Sequence, residues 1–106
     1  MGADLSVFVE GKEIAYFRDS YNNSNLLWQL GGSYWDMLDK YKSDENKLKY
    51  LKECLKRAEL KKSEWKDMFK EEWNIEFLEK LKKFEDWIRI ADNHIGRKGV
   101  KIIWSV

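Results

Sequence analysis

A chain of 106 residues, 43% hydrophobic, 37% charged and 15% aromatic, makes one domain with a modest core. Its formal charge of +1 lacks the basic footprint of a dedicated nucleic-acid or membrane-surface binder. No apolar run approaches the ~18 residues of a membrane span, and the single cysteine, Cys54, excludes an internal disulfide.

With no signal peptide at the start, the expectation is a cytoplasmic protein of a reducing compartment. Proline is absent, which suits long helices and argues against a chain of linked modules. Six tryptophans are many for so small an interior, so some are expected at the surface, where aromatic side chains favour partner contacts. The charge is unevenly spread. Residues 1–39 hold two basic and six acidic side chains, and residues 40–83 hold fourteen and ten. That leaves a weak anionic partner of the second half open.

In chain order, Leu5, Val7 and Val9 alternate with Ser6 and Phe8, a period of two that reads as a strand. Glu10-Gly11-Lys12-Glu13 is a tight connection, and Ile14-Ala15-Tyr16-Phe17 returns as the second arm of a β-hairpin. A dense polar cluster follows, Arg18-Asp19-Ser20-Tyr21-Asn22-Asn23, and Asn22, Asn23 and Ser24 can each cap the helix that begins near Leu26. Leu26, Leu27, Leu30, Tyr34, Met37, Leu38 and Tyr41 fall at helical spacing, but Gly31-Gly32 interrupts them. Either the helix breaks there and Ser33 recaps it, with Asp36 at N3, or another element packs closely over the glycines. A break or kink is the favoured reading.

Ser43 before Asp44 and Glu45 opens a charged helix with a narrow buried face of Leu48, Leu51, Leu55 and Ala58. Ser63 is expected to cap a further helix over 64–73, with Trp65, Met68, Phe69 and Trp73 as its stripe and Asn74 as a break or a new cap. Ile75, Leu78, Leu81, Phe84 or Glu85, Ile88, Ala91 and Ile95 then extend a helix to about His94, with Gly96 at the C′ position. Residues 100–106 are a terminal strand that most simply joins the hairpin. The expected fold is α+β: a small antiparallel sheet of the N-terminal hairpin and the C-terminal strand, packed by three to four helices.

Motifs for catalysis are missing. The chain has no glycine-rich phosphate loop, nucleophile elbow, Cys/His metal spacing or His-Glu zinc motif, so neither metal nor cofactor is expected. Asp92-Asn93-His94 is the one local pairing of a histidine with a carboxylate, and a histidine in a helix's last turn ordinarily serves the dipole or the surface. Cys54 beside Leu55 reads as a half-buried apolar filler rather than a nucleophile.

The candidate site is the polar cluster with its flanking aromatics. Arg18, Asp19, Tyr21, Asn22 and Asn23 have an ordinary structural reading, an Asx-type turn plus a helix cap with Arg18 paired to Asp19 or another carboxylate. In the functional reading, Arg18, Tyr21 and Asn22 offer donors beside a helix start and hold an anion or a partner's carboxylate. Asp4 could reach the same region from the neighbouring strand. The tryptophans pair as Trp28 with Trp35, seven apart, and Trp65 with Trp73, eight apart. For each pair a core stripe is the favoured reading over an exposed interaction surface, although the limited interior argues against both being wholly buried.

The opening Met1-Gly2-Ala3-Asp4-Leu5, then residues 16–22 (Tyr-Phe-Arg-Asp-Ser-Tyr-Asn) and Leu26-Leu27-Trp28, resembles a group of small uncharacterised proteins of phages and prophages of low-GC bacteria. The match covers about the first third of the chain. Some members carry a longer insertion between the opening and the Tyr-Phe-Arg segment, where this chain has only a tight turn. The resemblance implies a mobile-element origin and no particular chemistry.

Small size, absent catalytic motifs, excess aromatics and that kinship lead to one expectation. This is a non-enzymatic protein that binds and modulates a host protein, most concretely an anti-defence, anti-CRISPR inhibitor of a defence nuclease complex. The alternative is a small-ligand or nucleotide-binding domain, enzymatic or not, that uses residues 18–23. Nucleic-acid binding through the basic middle helices ranks below both. A homodimer through an aromatic helix face fits as well as a hetero-complex.

Overall fold

The alternation of Leu5, Val7 and Val9 builds the central strand of a sheet. In the computed structural model, which describes residues 2–20, 26–68 and 70–105, β1 (Gly2–Val9) pairs antiparallel with β2 (Lys12–Ser20) and with β3 (Val100–Ser105). The strand order is β2-β1-β3. Glu10 and Gly11 close the hairpin at φ 50° and 81°, the positive values that match a two-residue turn to the twist of its strands. A register shift between Val7 and Phe8 inserts one extra residue on the β2 side.

Five helices join β2 to β3 among the described residues: α1 (Leu26–Gln29), α2 (Tyr34–Asp39), α3 (Asp44–Lys56), α4 (Ala58–Met68) and α5 (Glu71–His94). Ala3, Leu5, Val7, Phe17 and Ile102 are buried on one face of the sheet, against Leu51 and Cys54 of α3, Trp65 of α4 and a long stripe of α5. The α+β architecture is the expected one, with helices on one face of a small antiparallel sheet. The helix count is higher because Gly31-Gly32 does divide the first helical stretch. Both readings of that pair hold: α1 and α2 are separate, and α3 packs tightly over the gap. Arg57 Nη1 donates to the Leu30 carbonyl at 2.8 Å, and the Ser33 N–H donates to the Tyr50 hydroxyl at 2.6 Å. Ser33 stands at the N-cap of α2 without a side-chain cap bond, whereas Ser43 Oγ does accept from the Asn46 N–H at the start of α3.

The boundaries around α4 differ from expectation. Ser63 caps nothing; it is exposed within α4, which starts at Ala58 because Ala58 and Trp65, two turns apart, are its buried face. Asn74 likewise lies inside α5, whose start is set by Glu71 and Glu72 at the positive end of the dipole. The inward stripe of α5 is Phe77, Leu81, Phe84, Trp87, Ile88 and Ala91, while Ile75 and Leu78, expected inward, are exposed. Larger rings take that space. Trp65 stacks on Phe77 with centroids 5.1 Å apart, and Phe84 meets Phe17 at 5.3 Å. Met68, assigned to an aromatic stripe, is also exposed.

Candidate functional site

β2 runs farther than its apolar residues suggest, to Ser20, so Arg18 and Asp19 belong to a strand and their side chains go to opposite faces of the sheet. Asp19 points inward and is wholly buried. Its two carboxylate oxygens accept the Leu26 and Leu27 N–H groups at 2.8 and 2.9 Å, and Lys80 Nζ of α5 lies 3.2 Å from Oδ1. A residue seven positions upstream thus satisfies the first donors of α1, and its charge is met by an ammonium that is itself only 15% exposed.

Arg18 points outward. Its partner is not the neighbouring Asp19, which is on the other face, but Asp4 across the β1–β2 ladder, with Nη1 2.8 and 3.0 Å from the two Asp4 oxygens. The Tyr16 hydroxyl donates to the same carboxylate. The bond from Tyr16 first and those from Arg18 second hold the Asp4 carboxyl below its ordinary pKa, and the bond to Asp4 raises that of the Tyr16 phenol. Asp4 does reach Arg18, as the sequence allowed, and Tyr16 is a member of the cluster that sequence reasoning did not include. The signal was available: Tyr16 and Arg18 are two apart on one strand, hence on one face. Tyr21, Asn22 and Asn23 lie outside the described residues.

The tryptophans separate clearly. Trp28 on α1 is 71% exposed and Trp35 on α2 is 78% exposed, with Leu38 one turn after Trp35 also exposed. Trp65 is fully buried, its Nε1 donating to Gln29 Oε1 at 3.4 Å, and belongs to the core. Trp73 is in α5, and its side chain lies outside the described residues. Trp87, absent from the sequence candidates, is buried and donates to the Leu5 carbonyl at 3.2 Å.

The remaining reactive groups are engaged structurally. His94 Nδ1 sits 2.8 Å from the Ile90 carbonyl, and Asp92 pairs with Lys52 at 2.8 Å instead of with His94. Burial pushes the Cys54 thiol up to about 11. Among the described residues no group of three or more His, Cys, Asp or Glu could hold a metal ion, and no helix is long and apolar enough to cross a membrane. One open groove of about 440 Å³ runs between the edge of β2 and α5, reaching Arg18 on one side and Lys83 and Asp86 on the other. Compared with protein-family models, curated proteins and solved structures, the chain matches none.

Proposed function

We propose that this protein acts by binding another protein, through a surface on which Trp28 and Trp35 stand. The observation that carries the reading is that two tryptophans on adjacent short helices are more than 70% exposed, although Trp65 and Trp87 of the same chain are buried. A large indole held in water by a short helix is unfavourable for the isolated chain and is the type of side chain that dominates interface energies. The most specific version is a phage-type protein that inhibits a bacterial host protein, with a defence nuclease complex as the target. Its support is the N-terminal resemblance, together with the small size and aromatic excess of the chain.

The ligand-binding alternative has less to draw on. Asp19 is committed to the start of α1 and to Lys80, and Arg18 to Asp4. The test is capture of the tagged protein's partner from a bacterial host lysate, followed by binding and inhibition assays with the purified partner. Trp28→Ala combined with Trp35→Ala is expected to weaken binding at least tenfold, and Arg18→Ala to leave it nearly unchanged. Unaltered binding by the tryptophan variant, or a folded protein with no partner at all, refutes the proposal.

A further inference from the structure

The two edges of the sheet are finished differently. At β3 the main chain of Ile102 faces outward and α3 covers it: Asp44 Oδ1 accepts the Ile102 N–H at 3.0 Å, and Lys47 Nζ donates to the Ile102 carbonyl at 3.2 Å. Those contacts fix the parity of the ladder, together with the Glu10 N–H donating to the Gly99 carbonyl at 2.9 Å. Even-numbered β1 residues bond β3, and odd-numbered ones bond β2. Leu5 is opposite Phe17 and Val7 opposite Ala15, so the main-chain groups of Ala15 and Phe17 turn toward β1 and those of Tyr16 and Arg18 turn outward. Among the described residues no side chain covers them as Asp44 and Lys47 cover Ile102. Among the described residues, nine residues of strand without a proline present an open edge.

We propose that this edge is where a second copy of the chain docks, the two β2 strands pairing antiparallel about a twofold axis at Phe17. Two three-stranded sheets would then become one continuous sheet. The register argues for a copy of the same chain. The outward-bonding residues Tyr16 and Arg18 flank Phe17, so the axis sets Tyr16 of one protomer opposite Arg18 of its partner, an aromatic ring beside a guanidinium. A shift by one residue toward Arg18 would oppose the two arginines. The layer beneath is self-complementary as well. Phe17 rests on Phe84, which puts the axis level with Lys83 and Asp86 on the wall of the groove. The twofold turns Lys83 of one protomer toward Asp86 of the other, whose carboxylate also meets Lys82 and Arg89 of its own chain at 3.2 and 3.3 Å, over a floor that includes Trp87 and Ile90. None of this involves Trp28 or Trp35, so it stands or falls separately from the proposed function.

The experiment is sedimentation equilibrium from micromolar to millimolar protein, paired with amide exchange. The mass is expected to rise from 12.8 kDa to twice that value with concentration. Tyr16→Pro removes an N–H that the β1–β2 ladder does not use and is expected to abolish the dimer, whereas Trp28→Ala with Trp35→Ala keeps it. The wild-type chain supplies a reading that needs no substitution: the Tyr16 and Arg18 amides exchange more slowly as the dimer forms. A chain that stays monomeric at millimolar concentration overturns the proposal. So does a dimer in which those two amides exchange as fast as in dilute solution.

Discussion

Asp19 and Cys54 show how burial changes what a polar residue can do. Asp19 carries a charge into the interior, where two N–H donors and the Lys80 ammonium meet it. Asp19→Ala leaves those groups without the carboxylate and is expected to destabilise the fold by about 3 kcal/mol, measured as a lower urea midpoint at unchanged slope. An exposed pair such as Lys56–Glu53 should tolerate the same kind of truncation within about 0.5 kcal/mol. Cys54 is neutral in its buried site, with its thiol raised from 9.0 to about 11 chiefly by desolvation. The unfolded chain therefore releases this proton first as pH rises, and the group's contribution to stability, whole below pH 9, is lost between 9 and about 11. Wild type is expected to lose more stability than Cys54→Ala across that window in parallel urea titrations. Equal losses would mean that the thiol is not shielded from water.

Among the elements, the α1–α2 connection is where local sequence and tertiary packing meet most closely. A Cβ at Gly32 would lie 2.9 Å from the Leu27 carbonyl oxygen, the acceptor of Gly32's own N–H, and 3.3 Å from both Cys54 Sγ and the Tyr50 hydroxyl. Gly32→Ala is expected to cost about 1–3 kcal/mol in urea or thermal unfolding, since the contact is with backbone and a packed helix. An unchanged midpoint would show that α3 can move away. The Gly-Gly break was legible in the sequence because glycine interrupts a helix whatever its surroundings. That α3 would clamp it was not, because Tyr50 and Arg57 lie 17 and 27 residues from their partners. The same division runs through the chain. Period-two alternation gave β1, and Ser43 with its following acids gave the start of α3. The inward face of α5 was misread because Ile75 and Leu78 fit a helical stripe as well as Phe77 and Trp87 do, and only the rings of Trp65 and Phe17 decide between them. In the candidate site, the nearness of Asp4 was readable from strand pairing, but its match to Arg18 needed the register, which sets the two directly opposite. The burial of Asp19 depended on β2 continuing past its apolar residues.

At the scale of the whole molecule, the number of tryptophans exceeds what the interior takes. Trp65 and Trp87 fill the space between the sheet and α5, and Trp104 is half-buried beside Tyr41 and Tyr50. Trp28 and Trp35 remain largely in water on the two short helices. Their exposure means that little of the fold's burial depends on them, since stabilisation follows the apolar area removed from water. Trp28→Phe with Trp35→Phe is therefore expected to change unfolding free energy by no more than about 0.5 kcal/mol, while removing most of the red-shifted tryptophan emission that a neutral quencher reaches. Trp65→Phe is expected to do the reverse: it leaves the quenchable emission in place and destabilises the fold by about 1–3 kcal/mol, because the smaller ring leaves space against Phe77. If the double variant unfolded as readily as the Trp65 variant, the two indoles would have to be structural, and they would lose their standing as interface residues. If it kept its stability and lost its partner, the same two side chains would be separated from folding and assigned to recognition.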